Sequence, residues 1–249
     1  MPGMDHGEFR DPRLVPLYDA EYGWGRDDDF FVSVIGATPA ARVLDVGCGT
    51  GRVTLGLAAA GHRVTGVDPA RASLDVARAK PGADRVTWLE GGAEVAPSGA
   101  FDAALMTAHV AQFVVGDDAW SRLLADLHRA LVPGGRLVFD TRDPAARAWE
   151  AWNPADTRRT VRLGEVEVVE WTEVTAVEGG LVSFTHHYEF PGGDHLLGSA
   201  TMRFRGEGEL RTTLADAGFT VDAIHGGWGR EPIGAPDGEF LVLAHRGRG

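Results

Sequence analysis

The sequence predicts a doubly wound α/β fold that carries an antiparallel β insert. Between residues 42 and 140, short apolar runs alternate with stretches of helical apolar spacing, which is the pattern of βαβ units in a parallel sheet. From residue 158 to residue 205 the apolar residues alternate with polar ones instead, as they do in antiparallel strands. A final helix and strand pair, residues 206–249, is expected to complete the sheet.

The first βαβ unit is built around a glycine turn. Residues 43–46 form an apolar run with a single carboxylate, and Gly47, Gly49 and Gly51 follow at alternate positions. Residues 52–60 then have the composition of a helix. A strand, a glycine turn and a helix in this order are typical of nucleotide-binding units, because glycine lets a ligand approach the backbone closely.

The glycine spacing and two nearby acids narrow the class of ligand. Dinucleotide oxidoreductases use the spacing G-x-G-x-x-G, whereas this turn is one residue shorter. Asp45 stands two residues before the first glycine, where it would repel a pyrophosphate and suit a positively charged group such as an ammonium. Asp68 ends the second apolar run, about where a βαβ unit presents a carboxylate to ribose hydroxyls.

Composition limits the class of partner. The chain has 249 residues, a formal net charge of −12 and one cysteine, Cys48. The negative charge argues against DNA or RNA as the main partner, because phosphate binding needs a basic face. A single cysteine excludes an intramolecular disulfide, and no apolar run reaches membrane length. We therefore expect a cytoplasmic protein with neither a membrane nor a nucleic-acid partner.

Four segments together resemble the class I S-adenosylmethionine (SAM) dependent methyltransferases, of the type that acts on small molecules. The segments are Val43–Gly51, Asp68–Pro69, Phe101–Leu105 and Leu131–Leu137, and they stand in that family's order and at its usual separations. The resemblance implies a Rossmann-like sheet of seven strands and SAM as the cofactor. It also implies a β insert after strand five that forms a lid or a subunit contact.

The resemblance assigns a cofactor site as well. It implies that Asp45 and the glycine turn hold the methionine moiety and that Asp68 binds the ribose hydroxyls. The family commonly has an Asp that accepts a hydrogen bond from the adenine amino group, but Gly92 stands in its place. Adenine is therefore expected at the backbone near Ala93 or at Glu94. The predicted set is Tyr18, Asp45, Gly47, Cys48, Gly49, Gly51, Asp68, Pro69, Gly92, Ala93, Glu94 and Thr107.

The residues that follow strand four are expected to face the methyl donor. In an open parallel sheet, ligands lie outside the carboxyl ends of the strands, at the point where the strand order reverses. Thr107 and His109 follow the predicted strand at residues 101–106. His109 is interpreted either as a general base or substrate orienter, or as a structural histidine that bonds a loop carbonyl. No ligand spacing indicates a metal site, and none is expected.

We expect the chain to be organised in four parts. These are an N-terminal helical lid (residues 1–38), a SAM-binding core (39–157), the β insert as a substrate cap (158–205), and a helix and strand pair that completes the core (206–249). The apolar face of the insert must be buried against the core, a second subunit or a substrate, so a homodimer contact is also open. His186 and His187 point to opposite faces of their strand, so at most one of them faces a pocket.

The function that this resemblance implies is transfer of a methyl group from SAM to an oxygen or nitrogen atom of a small molecule. Two alternatives stay open. A protein with this fold can bind SAM without methyl transfer, as a scaffold or as a cyclase. The other alternative is an NAD-dependent oxidoreductase, against which the glycine spacing and Asp45 both argue.

Overall fold

The structure is a computed structural model that describes residue 11 and residues 13–247. The helices in this part of the chain are α1 (Val15–Glu21), α2 (Arg26–Gly36), α3 (Arg52–Ala59), α4 (Arg71–Ala79), α5 (Val110–Phe113), α6 (Asp117–Ala130), α7 (Pro154–Thr157) and α8 (Glu207–Asp216). The strands of the larger sheet are β1 (Arg42–Val46), β2 (Arg63–Asp68), β3 (Thr87–Glu90), β4 (Phe101–Met106), β5 (Leu131–Arg142), β10 (Phe219–His225) and β11 (Glu239–Arg246). The smaller sheet contains β6 (Arg159–Leu163), β7 (Val166–Glu178), β8 (Leu181–Glu189) and β9 (His195–Arg203).

The larger sheet has the strand order β10-β11-β5-β4-β1-β2-β3. Strands β1 to β5 pair in parallel, and β11 pairs antiparallel with both β5 and β10. The order reverses between β1 and β4, so their carboxyl ends open a crevice for a ligand. The predicted doubly wound sheet of seven strands is confirmed.

Both faces of this sheet are covered by helices. Alternate residues of β1 point to opposite faces. Val43 packs with apolar residues of α2 and α3, whereas Leu44 and Val46 pack with residues of α6 and α8. Each side chain buried in this way stabilises the fold by about 1.5–3 kcal/mol. Because both faces are filled, the edge formed by the carboxyl ends of the strands is left for a ligand.

The smaller sheet is the predicted insert, and its strands run antiparallel in sequence order. Its apolar face is buried against its own chain in two places. One cluster joins Val182, Phe184 and Phe204 to Trp149 and Trp152, and another joins Val161, Val168 and Tyr188 to Leu14 and Leu17 of the N-terminal segment. The insert therefore lies over the carboxyl edge of the larger sheet.

Helix α1 connects the insert to the glycine turn. Leu14, just before the helix, and Leu17 within it pack on the insert. On the other side, the Asp19 carboxylate accepts a hydrogen bond from the Thr50 hydroxyl (2.5 Å) and forms an ion pair with Lys80 (2.6 Å). Lys80 in turn donates to the Thr50 carbonyl (2.8 Å). Residues 1–10 and 12 of the predicted N-terminal lid lie outside the described residues.

The segment after β5 differs from the sequence interpretation. The sequence predicts a helix that carries Trp149 and Trp152 and ends at Asn153–Pro154. The structure instead has two 3₁₀ turns before that point, and α7 begins at Pro154. The Asn153 side chain accepts from the amides of Ala155 and Asp156. The Asn–Pro pair is thus a helix start, with Asn as the cap and Pro as the first helical residue.

Within the described part of the chain, no helix is long and apolar enough to cross a membrane.

Candidate active site

The three glycines of the turn serve different purposes. All have positive φ angles, of 72° at Gly47, 53° at Gly49 and 83° at Gly51. A Cβ atom at Gly47 would lie 2.5 Å from Cγ2 of Val110, and one at Gly51 would lie 2.6 Å from Cη2 of Trp88. A Cβ atom at Gly49 would have no neighbour within 4 Å. Packing therefore requires the outer two glycines, and only Gly49 opens onto free space.

Asp45 lies buried beneath this turn. It is 1% exposed, and its Oδ2 accepts a hydrogen bond from the Thr54 hydroxyl (2.6 Å). Its Oδ1 has no partner among the described residues. Burial raises the pKa of this carboxyl group to about 6. A buried carboxylate oxygen that lacks a partner favours a ligand that brings a hydrogen-bond donor or a positive charge.

Asp68 fixes the glycine turn to the end of β2. Its Oδ2 accepts from the Gly49 amide (2.8 Å), and its Oδ1 accepts from the Ala70 amide (2.7 Å). Each oxygen of a carboxylate can accept a second hydrogen bond. Asp68 can therefore hold the turn and bind hydroxyl groups at the same time, and burial raises its pKa.

In the region predicted for adenine, the Glu94 side chain lies against the backbone at Gly92. Ala93 is buried and Pro69 is exposed. Glu94 turns back so that its Oε1 accepts from the Gly92 amide (2.9 Å). Its Oε2 lies 2.5 Å from where a Cβ atom of residue 92 would stand. The Glu94 carboxylate thus occupies the space next to the backbone where the missing acidic side chain would begin.

The other predicted cofactor residues lie around the same crevice. Cys48 is buried, and burial raises the pKa of its thiol, so the thiol stays protonated and is not a nucleophile. Thr107 is buried directly after β4. Tyr18 lines the adjoining cavity, and its ring centroid lies 4.8 Å from that of Tyr22.

The ends of three strands bring His109, Asp140 and Glu239 together; we call these three residues the strand-end cluster. Nε2 of His109 lies 3.0 Å from both carboxylate oxygens of Glu239 and 3.3 Å from Oδ2 of Asp140. The His109 amide also donates to Oδ2 of Asp140 (2.9 Å). Ala108 and His109 both have positive φ angles, 54° and 62°. Such strain in residues other than glycine is often found at functional sites.

Burial shifts the protonation of this cluster. The pKa of Glu239 is raised to about 8 and that of Asp140 to about 6, whereas the pKa of His109 is lowered to about 4, in each case chiefly by burial. These shifts favour a neutral imidazole and a protonated Glu239 at neutral pH, with Asp140 as the carboxyl group of the cluster that ionises first. The cluster therefore carries its negative charge on Asp140, and Oδ1 of that residue has no partner in the described chain.

The same three residues could hold a cation, since one ligand atom from each lies within 4.8 Å of the others. The partly buried Arg142 guanidinium interacts electrostatically with Glu239 and Asp140, and it repels a divalent ion at this position twice as strongly as a singly charged ammonium. The expectation of no metal site stays a prediction.

Sequence reasoning found His109 but missed both of its partners. Asp140 had a signal, because it follows the apolar run Leu137–Phe139 as Asp68 follows its own run. Glu239 had none. It comes close to Asp140 only because antiparallel pairing places Glu239 opposite Arg142.

A cavity of about 820 Å³ lies between α1, the strand ends and the insert. That volume suits a small organic molecule. His109, Asp140 and Glu239 form part of its wall on the side of the larger sheet. Aromatic side chains supply much of the remaining wall; these are Tyr18, Tyr22, Phe113, Trp152, Trp171, Phe184, Tyr188 and Trp228.

Residues 43–135 match the family model described as a methyltransferase domain. The chain carries a class I SAM-dependent methyltransferase domain. This methyltransferase is 29% identical over 214 residues to a cypemycin N-terminal methyltransferase from a Streptomyces species, a match that covers 82% of each chain.

Solved structures of methyltransferases also resemble it over nearly the whole chain. The CcbJ methyltransferase from Streptomyces caelestis has a TM-score of 0.80 at 22% identity, with 98% of each chain covered. CalS10, an amino pentose methyltransferase from Micromonospora echinaspora, has a TM-score of 0.67 at 25% identity, with 92% of this chain and 94% of that chain covered. At 22% identity, the likeness to CcbJ shows that the two proteins share a fold.

The cofactor of this methyltransferase is SAM. The geometry of the crevice fits it. Space is open beside Gly49, the buried Asp45 has an oxygen without a partner, and Asp68 can accept further hydroxyl donors.

Proposed function

We propose that the methyltransferase transfers the methyl group of SAM to an amine nitrogen of a small molecule. The observation that carries this proposal is the strand-end cluster in the wall of the cavity. His109 is partly exposed there, while Glu239 and Asp140 are buried, Asp140 to 1% exposure. An ionised Asp140 in this buried position favours a substrate that arrives as an ammonium ion.

The cluster also supplies the proton transfer that an amine requires. An ammonium nitrogen cannot attack until it loses a proton. Burial in the cavity and the positive sulfonium lower the pKa of the ammonium towards that of His109, whose neutral imidazole accepts the proton in this proposal. Asp140 then stabilises the imidazolium and holds the orientation of His109 through the backbone amide. The bound cofactor supplies a methyl group on a sulfonium. Helix α1 and the insert form two sides of the cavity and so limit the access of water to it.

We further propose roles for the cofactor residues. Asp45 and the turn at Gly49 bind the methionine moiety, and Asp68 binds the ribose hydroxyls. Glu94 accepts from the adenine amino group in place of the acid missing at residue 92, with Pro69 packed nearby. The open side of Gly49 and the position of the Glu94 carboxylate support these roles.

The names of two relatives favour a nitrogen acceptor, whereas others that match 60% of this chain or less are named for transfer to oxygen or carbon. One relative is named for methylation at the N-terminus of cypemycin and another for an amino pentose. The cytoplasmic location, a homodimer contact through the insert, the absence of membrane and nucleic-acid partners and the division into four parts stay predictions.

Matched acceptors test the proposal. The protein is incubated with SAM and either cyclohexylamine or cyclohexanol, and release of S-adenosylhomocysteine is measured. We expect release with the amine only. His109→Gln should lower kcat by about 10²–10⁴-fold, as expected for loss of a general base, and leave the Kd for SAM unchanged. His245→Gln, on β11 but away from the cavity, is the control. Methylation of the alcohol alone would contradict the proposal.

A further inference from the structure

The insert contributes a second polar cluster to the cavity wall. This cluster comes from the smaller sheet, whereas the strand-end cluster comes from the larger one. It consists of Arg159, Glu170, Thr172 and His186, which all line the cavity, and we call it the insert cluster. Glu170, Thr172 and His186 lie on the paired strands β7 and β8. His186 is thus the member of the His186–His187 pair whose side chain faces the cavity.

Glu170 is the residue of this cluster with unused hydrogen-bonding capacity. It is 5% exposed, and its Oε1 accepts from Nε of Arg159 (2.6 Å). Its Oε2 has no partner among residues 11 and 13–247. A buried carboxylate oxygen left in this state costs about 1–3 kcal/mol or more, and a donor on a bound molecule would remove that cost.

The charges around Glu170 favour a neutral donor. Arg159 contacts Glu170 directly and also pairs with Glu21 of α1, so its one positive charge is shared between two carboxylates. His186 lies 2.8 Å from the Thr172 hydroxyl, measured from Nδ1 to Oγ1, and burial lowers its pKa to about 4, so its imidazole is neutral at physiological pH. An ammonium at Oε2 of Glu170 would lie beside the Arg159 guanidinium and be repelled by it, whereas a hydroxyl group would not, so Glu170 suits a hydroxyl group better.

We propose that the insert cluster binds a hydroxyl group of the acceptor, which donates a hydrogen bond to Oε2 of Glu170. The acceptor is then a hydroxylated amine, held by its nitrogen at the strand-end cluster and by its hydroxyl at the insert. The position of the acceptor nitrogen at the strand-end cluster rests on the proposed function. Phe184 and Tyr188 supply apolar wall beside the insert cluster, where a carbon skeleton can pack.

Binding of matched amines tests this subsite. The probes are cyclohexylamine and its 2-, 3- and 4-hydroxyl derivatives, titrated calorimetrically into the protein saturated with S-adenosylhomocysteine. We expect at least one aminocyclohexanol to bind about tenfold more tightly than cyclohexylamine, the gain from one hydrogen bond to a charged group. In Glu170→Gln, whose amide nitrogen replaces the acceptor oxygen, that gain should vanish while the affinity for cyclohexylamine stays the same.

The chain offers a matched control for this variant. Glu167 pairs with Arg162 across the same two strands, β6 and β7, but is exposed on the opposite face. Glu167→Gln should keep the full preference for the hydroxylated amine. The subsite is overturned if no aminocyclohexanol binds more tightly than cyclohexylamine, or if the gain persists in Glu170→Gln.

Failure of the subsite can be told apart from failure of the proposed function by measuring turnover with the same compounds. Methyl transfer to all the amines with equal kcat/KM would leave the proposed function standing and overturn the hydroxyl site. A hydroxyl preference in binding without transfer to any of the amines would support the hydroxyl site and overturn the proposed function.

Discussion

His109 reaches the cavity because the backbone at Ala108 and His109 leaves β4 with two successive positive φ angles. That conformation costs of order 1–3 kcal/mol per residue. The hydrogen bond from the His109 amide to the buried Asp140 offsets part of the cost. The same contact fixes the imidazole beside Glu239, so backbone strain and side-chain position are parts of one arrangement.

Glu239 should weaken the folded state as the pH rises. Its pKa is about 8 in the folded protein, above its ordinary value of 4.5. Between these two pH values the folded state holds a proton that the unfolded state has lost, so stability falls with rising pH. Glu239→Gln removes this effect. Its free energy of unfolding in urea should exceed that of the wild type by on the order of 1–3 kcal/mol at pH 8.5, and by less at pH 6.

The control for this measurement is Glu178→Gln, a change at an exposed residue beside the β7–β8 turn. It should leave the pH dependence of stability unchanged. A Glu239→Gln variant with the same pH dependence as the wild type would show that the burial of this carboxyl group does not control its protonation.

Glu94→Gln should weaken the binding of SAM by about tenfold. The amide oxygen of Gln can still accept from the Gly92 amide, but its NH₂ group cannot accept from adenine, and the loss of one hydrogen bond to a charged group is worth about 1.5 kcal/mol. Calorimetric titration with SAM measures the change. Asp84→Ala, at an exposed residue of the 3₁₀ turn before β3, is the control. Equal affinity in Glu94→Gln and the wild type would exclude Glu94 from the adenine site.

The sequence indicates where individual residues lie when their position depends on local chain order. The glycine turn, Asp45, Asp68 and His109 all lie at strand ends that the apolar pattern reveals. Glu239 and Glu170 could not be predicted in the same way. Their positions depend on antiparallel pairing and on how the insert lies over the larger sheet, which no short segment of sequence contains.

At the scale of elements, α1 should control how long the cofactor stays bound. The helix is held at the glycine turn by the contacts of Asp19 with Thr50 and Lys80. Asp19→Ala removes these contacts, so we expect SAM to dissociate about tenfold faster, in line with the loss of a charge-assisted hydrogen bond of about 1.5 kcal/mol. Stopped-flow displacement of SAM by S-adenosylhomocysteine measures the rate.

Asp11→Ala is the matched control for α1. The Asp11 carboxylate pairs with Arg13 in the same N-terminal segment. Its loss should leave the dissociation rate unchanged. If Asp19→Ala releases SAM no faster than Asp11→Ala does, α1 does not retain the cofactor.

Strands were easier to predict than the connection that follows β5. The strands carry a regular apolar period that the core dictates. The segment from Pro144 to Thr157 instead consists of 3₁₀ turns and a four-residue helix. Such short elements have no apolar period. The sequence therefore predicts a helix end at Asn153–Pro154, whereas a helix begins there.

At the scale of the whole molecule, binding of SAM should stiffen the insert as well as the crevice. Helix α1 contacts both, and a helix ordered by one partner loses less freedom on contact with the other. In hydrogen exchange, we expect SAM to slow exchange of the amides in α1 and in β6 and β7. Helix α8, on the other side of the larger sheet from α2 and α3, should exchange at an unchanged rate. Slowing confined to residues around the glycine turn would contradict this coupling.

The position of α1 between the glycine turn and the insert also fixes a kinetic order. Helix α1 supplies part of the cavity wall while it is seated on the turn, so we expect SAM to enter before α1 settles there. We therefore expect a sequential mechanism in which the donor binds first and the demethylated donor leaves last. S-adenosylhomocysteine should then inhibit competitively against SAM and noncompetitively against the acceptor.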